Sequence, residues 1–493
     1  MEWLENSVNF INDYMSGYVL VFLLVAVGLF YSIKTKFVQV RCLGEGFKRV
    51  FKKQKGKNGE IGISSFQALA TAVAAQVGTG NIVGACGAIL IGGPGAIFWM
   101  WIIAFLGMAT NYAEATLAQK TKSVDENGEV RGGPVYYIKH AFQGKLGKVL
   151  SGFFAVAIIL ACGFIGTMVQ SNSITSSISG VFSSFGADMS DYTWIVGIIV
   201  AVLAAIIFIG GIKRIASVTE KLVPIMAILY LAGGLLVLCV NITNVPAAIG
   251  SIFKYAFVPQ ALIGGGFGSA IVKAIQKGAQ RGLFSNEAGM GSTPHAHAQA
   301  EVDCPHDQGV CAMVGVFIDT FIVLTMTALV VLCTLYTGDG ALAGITGEAV
   351  DSLGTSVSDI AGGMGIANGN MVQLAFQSTF TTVFGGNASV GNAVGSIFVA
   401  ICLFFFAFST IISWNFFGKV NFNYLFGKKA TVVYSIIATV CVFLGAIFEN
   451  SFVWGLSDLF NNLMVIPNAI ALFALSGLVV SCLNSKSSET DLK

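Results

Sequence analysis

A chain of 493 residues that is 55% hydrophobic and 11% charged, with a mean hydropathy of +0.78, has too little polar surface to coat a soluble globule, where charge runs near ~25% of residues. That excludes a water-soluble enzyme or binding domain and points to an all-α integral membrane protein. The net charge of +2 says nothing about partners; the placement of the charges does.

Glu2 and Glu5 precede the first apolar run, Tyr18 to Tyr31, with no basic leader or small-residue cleavage site, so the run reads as a retained helix rather than a signal peptide. A membrane-crossing helix needs roughly 20 apolar residues. About eleven such stretches start near Ser16, Ser64, Ala96, Val149, Tyr192, Ser217, Leu262, Val310, Gly391, Thr431 and Ser451. Cytoplasmic connections hold an excess of Lys and Arg. Nine lie between Lys34 and Lys57, six between Lys120 and Lys148, three at Lys213, Arg214 and Lys221, three at Lys419, Lys428 and Lys429, and two in the tail. The alternate connections hold only Lys254. This predicts an N-terminus outside and a C-terminus in the cytoplasm of a prokaryotic plasma membrane. The connection Glu301 to Gly309 has no Lys or Arg and is placed inside by counting alone. Ten cysteines scattered through apolar segments read as small packing residues rather than a disulfide framework.

With the first helix set aside (residues 1–61, including a basic segment), ten core helices divide into halves at 62–258 and 259–484, ahead of a cytoplasmic tail at 485–493. The first and sixth core segments are interrupted, by VGTGN at 77–81 and GLFSNEAGMGS at 282–292. Paired interruptions at matching positions of two halves mark the binding site of an inverted-repeat transporter. A mid-membrane break frees backbone N–H and C=O groups, which hydrocarbon does not tolerate unless something satisfies them. The rival reading is close helix packing through small residues such as Gly80, Gly84 and Ala88.

GGPGAIFWMWIIAFLG at 92–107, RGLFSNEAGMGS at 281–292 and FSTIISW at 408–414 resemble the signature blocks of the alanine or glycine:cation symporters, also called sodium:alanine symporters, and the likeness spans nearly the whole chain. It implies the leucine-transporter fold, one extra N-terminal helix plus two inverted five-helix repeats, and a small neutral amino acid carried with Na⁺. Position by position, it implies that the amides of Thr79 and Gly80 hold the substrate carboxylate and that the Phe284 carbonyl receives the ammonium. Gln170 reaches the substrate, and Phe164 and Trp414 are pocket walls. A sodium site takes main-chain oxygens at Ala74, Val77 and Ala407 with the hydroxyls of Ser409 and Thr410. Asn81 and Ser285 align with a second sodium site that not all members use. The chain departs from shorter members in a Gly- and Ser-rich connection from Thr337 to Asn387, whose role the likeness does not supply.

The chemistry agrees with this assignment. A half-helix starting near Asn81 presents unpaired N–H groups and about half a positive charge to a carboxylate. Carbonyls at the end of the other half-helix, near Phe284, suit an ammonium, and the Gln170 amide can serve either end. Ser409 and Thr410 supply hard oxygens, although such hydroxyls commonly bond back to the preceding turn. A bulky Trp414 indole favours small substrates such as alanine or glycine.

Charges inside the membrane cost about 2.5 to 3.5 kcal/mol each on insertion scales, so Glu114, Lys273, Lys277, Arg281, Glu287, Asp319 and Asp458 need partners. Pairing with opposite charge is the expectation. Glu287 is expected to pair with a basic residue, hold the unwound segment or face the inner vestibule, and Glu114 to snorkel to the interface. His295, His297, Cys304, His306 and Cys311 are the only metal-like cluster, and the His-x-His spacing places the two rings on different sides of a helix. There is no nucleotide-binding loop, nucleophile elbow or nucleic-acid patch.

The sequence therefore predicts a sodium-coupled importer of alanine or glycine working by alternating access, with no cofactor beyond Na⁺ as coupling ion. Its partners are the amino acid, the ion and the lipid bilayer. Oligomeric state is not encoded in any pattern above. The alternatives are a proton symporter or exchanger using Glu287 or Asp319, a channel or sensor, and, with least support, a membrane enzyme.

Overall fold

The computed structural model describes residues 2–52, 62–124, 128–257, 267–343, 357–448 and 450–490. Almost all of this is helix, as lipid requires of a chain that must satisfy its backbone polar groups internally. Among the described residues eight helices are long and apolar enough to cross a membrane: Ala96–Thr121, Gly144–Ser184, Ser190–Phe208, Gly211–Val240, Pro305–Leu335, Ala388–Phe426, Lys428–Gly445 and Val453–Ala474. In chain order we call them core helices 2, 3, 4, 5, 7, 8, 9 and 10. Core helix 1 is a bent pair, Ser65–Gln76 and Gly80–Gly92. The other two expected spans fall outside this measure of length and composition. The N-terminal run is built from Glu2–Tyr14, a π turn Met15–Leu20 and Val21–Lys34. Core helix 6, Phe267–Asn286 followed after a turn by Pro294–Ala298, carries three basic residues.

Burial separates centre from rim. The most apolar windows of core helices 8, 2 and 7 are 72%, 67% and 61% buried, against 33%, 28% and 22% for core helices 4, 5 and 9. The rim helices expose Ile195, Ile198, Val202, Ile225, Ile228 and Ile436. An apolar belt of this kind is compatible with lipid and not with water.

The lysine-rich connections meet on one face. Lys34 Nζ donates to Ser476 Oγ (2.9 Å), Lys122 Nζ to the Ala300 carbonyl (3.2 Å) and Lys419 Nζ to the Phe208 carbonyl (3.2 Å). Arg49 pairs with Asp307 (3.2 Å) and Lys428 with Glu129 (2.7 Å). The Glu301 to Gly309 connection thus joins the others, as counting placed it. On the opposite face Asn244 Nδ2 donates to the Cys333 carbonyl (3.0 Å) and Asn241 Nδ2 to Thr379 Oγ1 (3.3 Å). The Thr337–Asn387 connection includes helices Val357–Gly363 and Met371–Val383. The second lies on the start of core helix 8, with Gln373 and Gln377 both donating to Ser396 Oγ (2.9 and 2.7 Å). Residues 344–356 of that connection, and the expected boundaries at 61 and 258–259, lie outside the described residues.

Candidate substrate and cation site

Core helix 1 starts at a capping box, in which Ser64 Oγ accepts from the Gln67 amide and Gln67 returns the bond (both 3.1 Å). It runs to Gln76, leaves helical geometry at Val77 (φ −82°, ψ 79°), bends by 49° and resumes in a π turn, Gly80–Gly84. Asn81 stabilises the break from within, its Oδ1 accepting from the Gly78 amide (3.2 Å). Two glycines are there because other chains come close. A Cβ on Gly78 would collide with Thr410 Oγ1, and one on Gly80 would press on Phe284 Cδ1 and Ser285 Cα, both at 3.2 Å. The first break therefore lies directly against both core helix 8 and core helix 6.

The second break follows Asn286. Glu287 has φ +55°, which a non-glycine residue rarely adopts, and Gly289 (+88°) and Gly291 (+80°) continue the turn into the short helix at Pro294. Buried acids hold it. Trp414 Nε1 donates to Glu287 Oε1 (2.5 Å) and the Ser292 hydroxyl donates to Glu287 Oε2. Glu114 Oε2 accepts from the Gly289 amide (3.1 Å) and its Oε1 from Asn468 Nδ2 (2.6 Å). That amide group also donates to the Gly289 carbonyl (2.9 Å), and the Tyr137 hydroxyl donates to Asn468 Oδ1. The expectation that Glu114 snorkels is overturned. It is fully buried, because core helices 6, 7 and 10 surround the inner half of core helix 2 and backbone freed by the break needs an acceptor.

Pairing by opposite charge is also corrected for Glu287, which takes the second of its expected roles. It holds the unwound segment through neutral donors. Arg281 and Asp458 do find an opposite charge as expected, each other, at 3.7 Å, with the guanidinium over the Trp454 ring (5.3 Å). The side chains of Lys273 and Lys277 lie outside the described residues.

Of the expected substrate contacts, Thr79, Gly80, Gln170, Phe284 and Trp414 come together. The Thr79 amide donates to Gln170 Oε1 (3.3 Å), a neutral oxygen standing where an anionic one would be welcome. The Phe284 and Trp414 rings meet edge to face at 5.9 Å. Thr79 Oγ1, Gln76 Oε1, Ser171 Oγ and Ser413 Oγ are buried in these same segments and make no hydrogen bond among the described residues. Phe164 is not with them. Its ring tilts against Tyr434 (5.4 Å) towards core helix 9, while Gly166, two residues on, abuts the Trp414 indole.

The expected sodium oxygens also converge. Thr410 Oγ1 lies 2.9 Å from the Ala74 carbonyl and 3.1 Å from that of Phe406, and Ser409 Oγ lies 3.4 and 2.9 Å from the same two. The back-bond and the cross-helix approach are both made. A hydroxyl that gives its proton to Phe406 turns its lone pairs towards the Ala74 carbonyl, an oxygen-rich meeting that suits a cation. Val77 and Ala407 are buried in the same two segments.

Asn81 and Ser285 meet at Asp319, whose expected role is to pair with an opposite charge or to titrate in a proton-coupled cycle. Asp319, in the π turn Phe317–Leu324, accepts from Asn81 Nδ2 (2.6 Å), Ser285 Oγ (3.0 Å) and Thr320 Oγ1 (2.8 Å). Among the described residues no Lys, Arg or His pairs with it. The available signal was its register, twelve residues after Asp307 in a span that starts with polar, buried Asp307 and Gln308; a carboxylate at that depth needs a counter-charge.

His295 and His297 brace the second break. His295 Nδ1 is 2.7 Å from the Ser292 carbonyl and its Nε2 2.8 Å from Asn421 Nδ2; His297 Nδ1 is 2.8 Å from Gln308 Nε2.

Two broken helices crossing at mid-bundle, with main chain, hydroxyls and one carboxylate turned to their meeting point, define a membrane transporter rather than an enzyme. The chain is similar to MhsT in complex with L-phenylalanine, with a TM-score of 0.58 at 15% identity, covering 86% of this chain and 98% of that one, which establishes the leucine-transporter fold. It belongs to the sodium:alanine symporter family, whose sequence profile matches residues 1–491. It is 40% identical to the sodium/alanine symporter AgcS of Methanococcus maripaludis over 475 residues, 96% of this chain and 95% of that one. It is also 37% identical to the probable sodium/glutamine symporter GlnT of Bacillus subtilis, over 97% and 90% of the two chains.

Proposed function

We propose that this protein imports a small neutral amino acid, alanine or glycine, together with Na⁺ across a prokaryotic plasma membrane. The observation that carries the reading is the meeting of the two breaks at Gly80, Phe284 and Ser285, with sodium-type oxygens on both sides. The carboxylate takes the amides of Thr79 and Gly80, displacing Gln170 Oε1. The ammonium takes the Phe284 carbonyl, and Trp414 limits the side chain to a methyl-sized group. One sodium ion takes Ala74, Val77, Ala407, Ser409 and Thr410. A second takes Asn81, Ser285 and Asp319, whose charge is otherwise balanced only by neutral donors. Names carried by the relatives, sodium/alanine and sodium/glutamine symporter, support the coupling ion and the substrate class.

One monovalent ion moving down ~100 mV releases about 2.3 kcal/mol, enough for a roughly 40-fold substrate gradient. The lysine-rich face is cytoplasmic in this reading, which places the N-terminus outside. Uptake of labelled alanine into proteoliposomes tests it. Accumulation should require Na⁺ and vanish in choline. Accumulation in choline, driven by a pH gradient, would establish the proton-coupled alternative instead. Asp319→Asn separates the two further: a sodium ligand loses Na⁺ affinity and keeps Na⁺ dependence, whereas a proton carrier loses all sensitivity to pH.

A further inference from the structure

After the N-terminal helix, the chain forms two short helices, Val38–Arg41 against core helix 2 and Leu43–Val50 laid on the start of core helix 7. Their fit is close. A Cβ on Gly46 would strike the Val310 carbonyl and the Val314 side chain. Cys42 joins the two helices, and Glu45 follows it by three residues, which brings both side chains to one side of a helical turn. His306 approaches from the first turn of core helix 7. One ligand atom from each of Cys42, Glu45 and His306 lies within 4.8 Å of the other two.

His306 supplies a second, independent observation. It is 98% buried, since only 2% of its surface is exposed, yet among the described residues its Nε2 makes no hydrogen bond. That atom faces Glu45 Oε2 at 3.6 Å. The other ring nitrogen, Nδ1, sits 2.8 Å from the Tyr112 hydroxyl. A ring that gives its Nδ1 proton to Tyr112 holds a bare lone pair on Nε2, the tautomer and outer partner typical of a metal-bound imidazole. Arg49 bridges two carboxylates, its Nε on Glu45 Oε1 and its Nη1 on Asp307 Oδ2, both at 3.2 Å, and the other Glu45 oxygen, Oε2, is the one that faces His306.

We propose that Cys42, Glu45 and His306 bind a divalent cation of the Zn²⁺ class, which fastens the linker after the N-terminal helix to the first turn of core helix 7. One thiolate, one imidazole and one carboxylate are a borderline donor set that Zn²⁺ takes in four-coordinate geometry, with water in the remaining position. Bonds of about 2.0 to 2.3 Å set tetrahedral ligand atoms roughly 3.5 Å apart, so the cluster must close by about 1 Å. Glu45, 32% exposed, can swing that far. Binding converts the Cys42 thiol to a thiolate and releases its proton to water. This site is separate from the transport site and does not depend on which ion drives uptake.

Co²⁺, a visible-absorbing stand-in for Zn²⁺, tests the proposal on the full-length, chelator-stripped protein in detergent. We expect one equivalent to give a thiolate-to-cobalt charge-transfer band with tetrahedral d–d bands, all displaced by Zn²⁺. Cys42→Ser should remove the charge-transfer band, and Cys304→Ser, a half-buried thiol in the neighbouring turn, should leave it. Glu45→Gln, a substitution at a partly exposed side chain that spares the fold, should weaken Zn²⁺ at least tenfold while sodium-dependent uptake is unchanged. His306→Gln should weaken it as much, and Zn²⁺ should raise the melting temperature of wild type but not of Cys42→Ser. No band in wild type, a band that survives Cys42→Ser, or equal Zn²⁺ affinity in Glu45→Gln would overturn the assignment.

Discussion

The two helix breaks occupy corresponding positions and have opposite internal economies. At the first, the amides of Val77, Gly78 and Asn81 bond within the segment itself, but the Thr79 amide has one long bond, to Gln170, and among the described residues Thr79 Oγ1 has none. At the second, Gly289 has both its amide and its carbonyl bonded, and Glu287 has both oxygens bonded. A backbone left unsatisfied in a dry interior is a binding surface, and one saturated by buried acids is a brace. In the proposed function the pair divides the labour: the first break would receive the ligand, while the second is held in its bent geometry by Glu114 and Glu287.

Substitutions can separate the two roles. Gly80→Val places a branched side chain against Phe284 and Ser285, an overpacking of about 2 to 3 kcal/mol that lowers alanine affinity on the order of 100-fold. Its melting temperature should move little if this break binds rather than braces. Glu114→Gln replaces an acceptor with a donor between two donors, the Gly289 amide and Asn468, and should lose about 1 to 2 kcal/mol of stability. Alanine affinity of the folded fraction, read by equilibrium binding, should stay within about threefold, since the brace does not touch the ligand. A Glu114→Gln protein as stable as wild type would erase the distinction.

Smaller effects sharpen the map inside the first region. Thr410→Ala should raise the half-saturating Na⁺ concentration about tenfold and leave the alanine KM nearly unchanged, while Gln170→Ala should do the reverse. Equal, small effects from both would count against the division into ion and substrate contacts. Phe164→Leu should change the alanine KM by less than about twofold, because its ring faces Tyr434 rather than the indole. A larger change would return Phe164 to the pocket wall.

Much of this was legible in the chain. Glycine next to Thr79 and Asn81 in apolar sequence announced the first break, and Ser285–Asn286–Glu287 announced the second, because both patterns place helix-breaking and polar residues where lipid forbids unpaired backbone. Lysine counts grouped the connections now seen to touch. The partners of the buried acids were not legible. Glu114 lies 175 residues from Gly289 and 354 from Asn468, and no local pattern encodes contacts at that range. A clue existed in Ala113, Ala115 and Ala118: small residues around the helix suit a segment enclosed on every side, where snorkelling has no exit. The π turns at Gly80–Gly84 and Phe317–Leu324 were equally hidden, since one extra residue per turn leaves no periodic trace over so short a stretch.

Gly78 abuts both Thr410 and Gln170, so the proposed ion and substrate contacts share one stretch of backbone, and the proposal requires them to be coupled. Reciprocal binding to the purified protein measures that coupling directly. Labelled alanine affinity should rise with Na⁺, and ²²Na⁺ affinity should rise with alanine by the same factor. Alanine binding equally well in sodium and in choline would contradict the account.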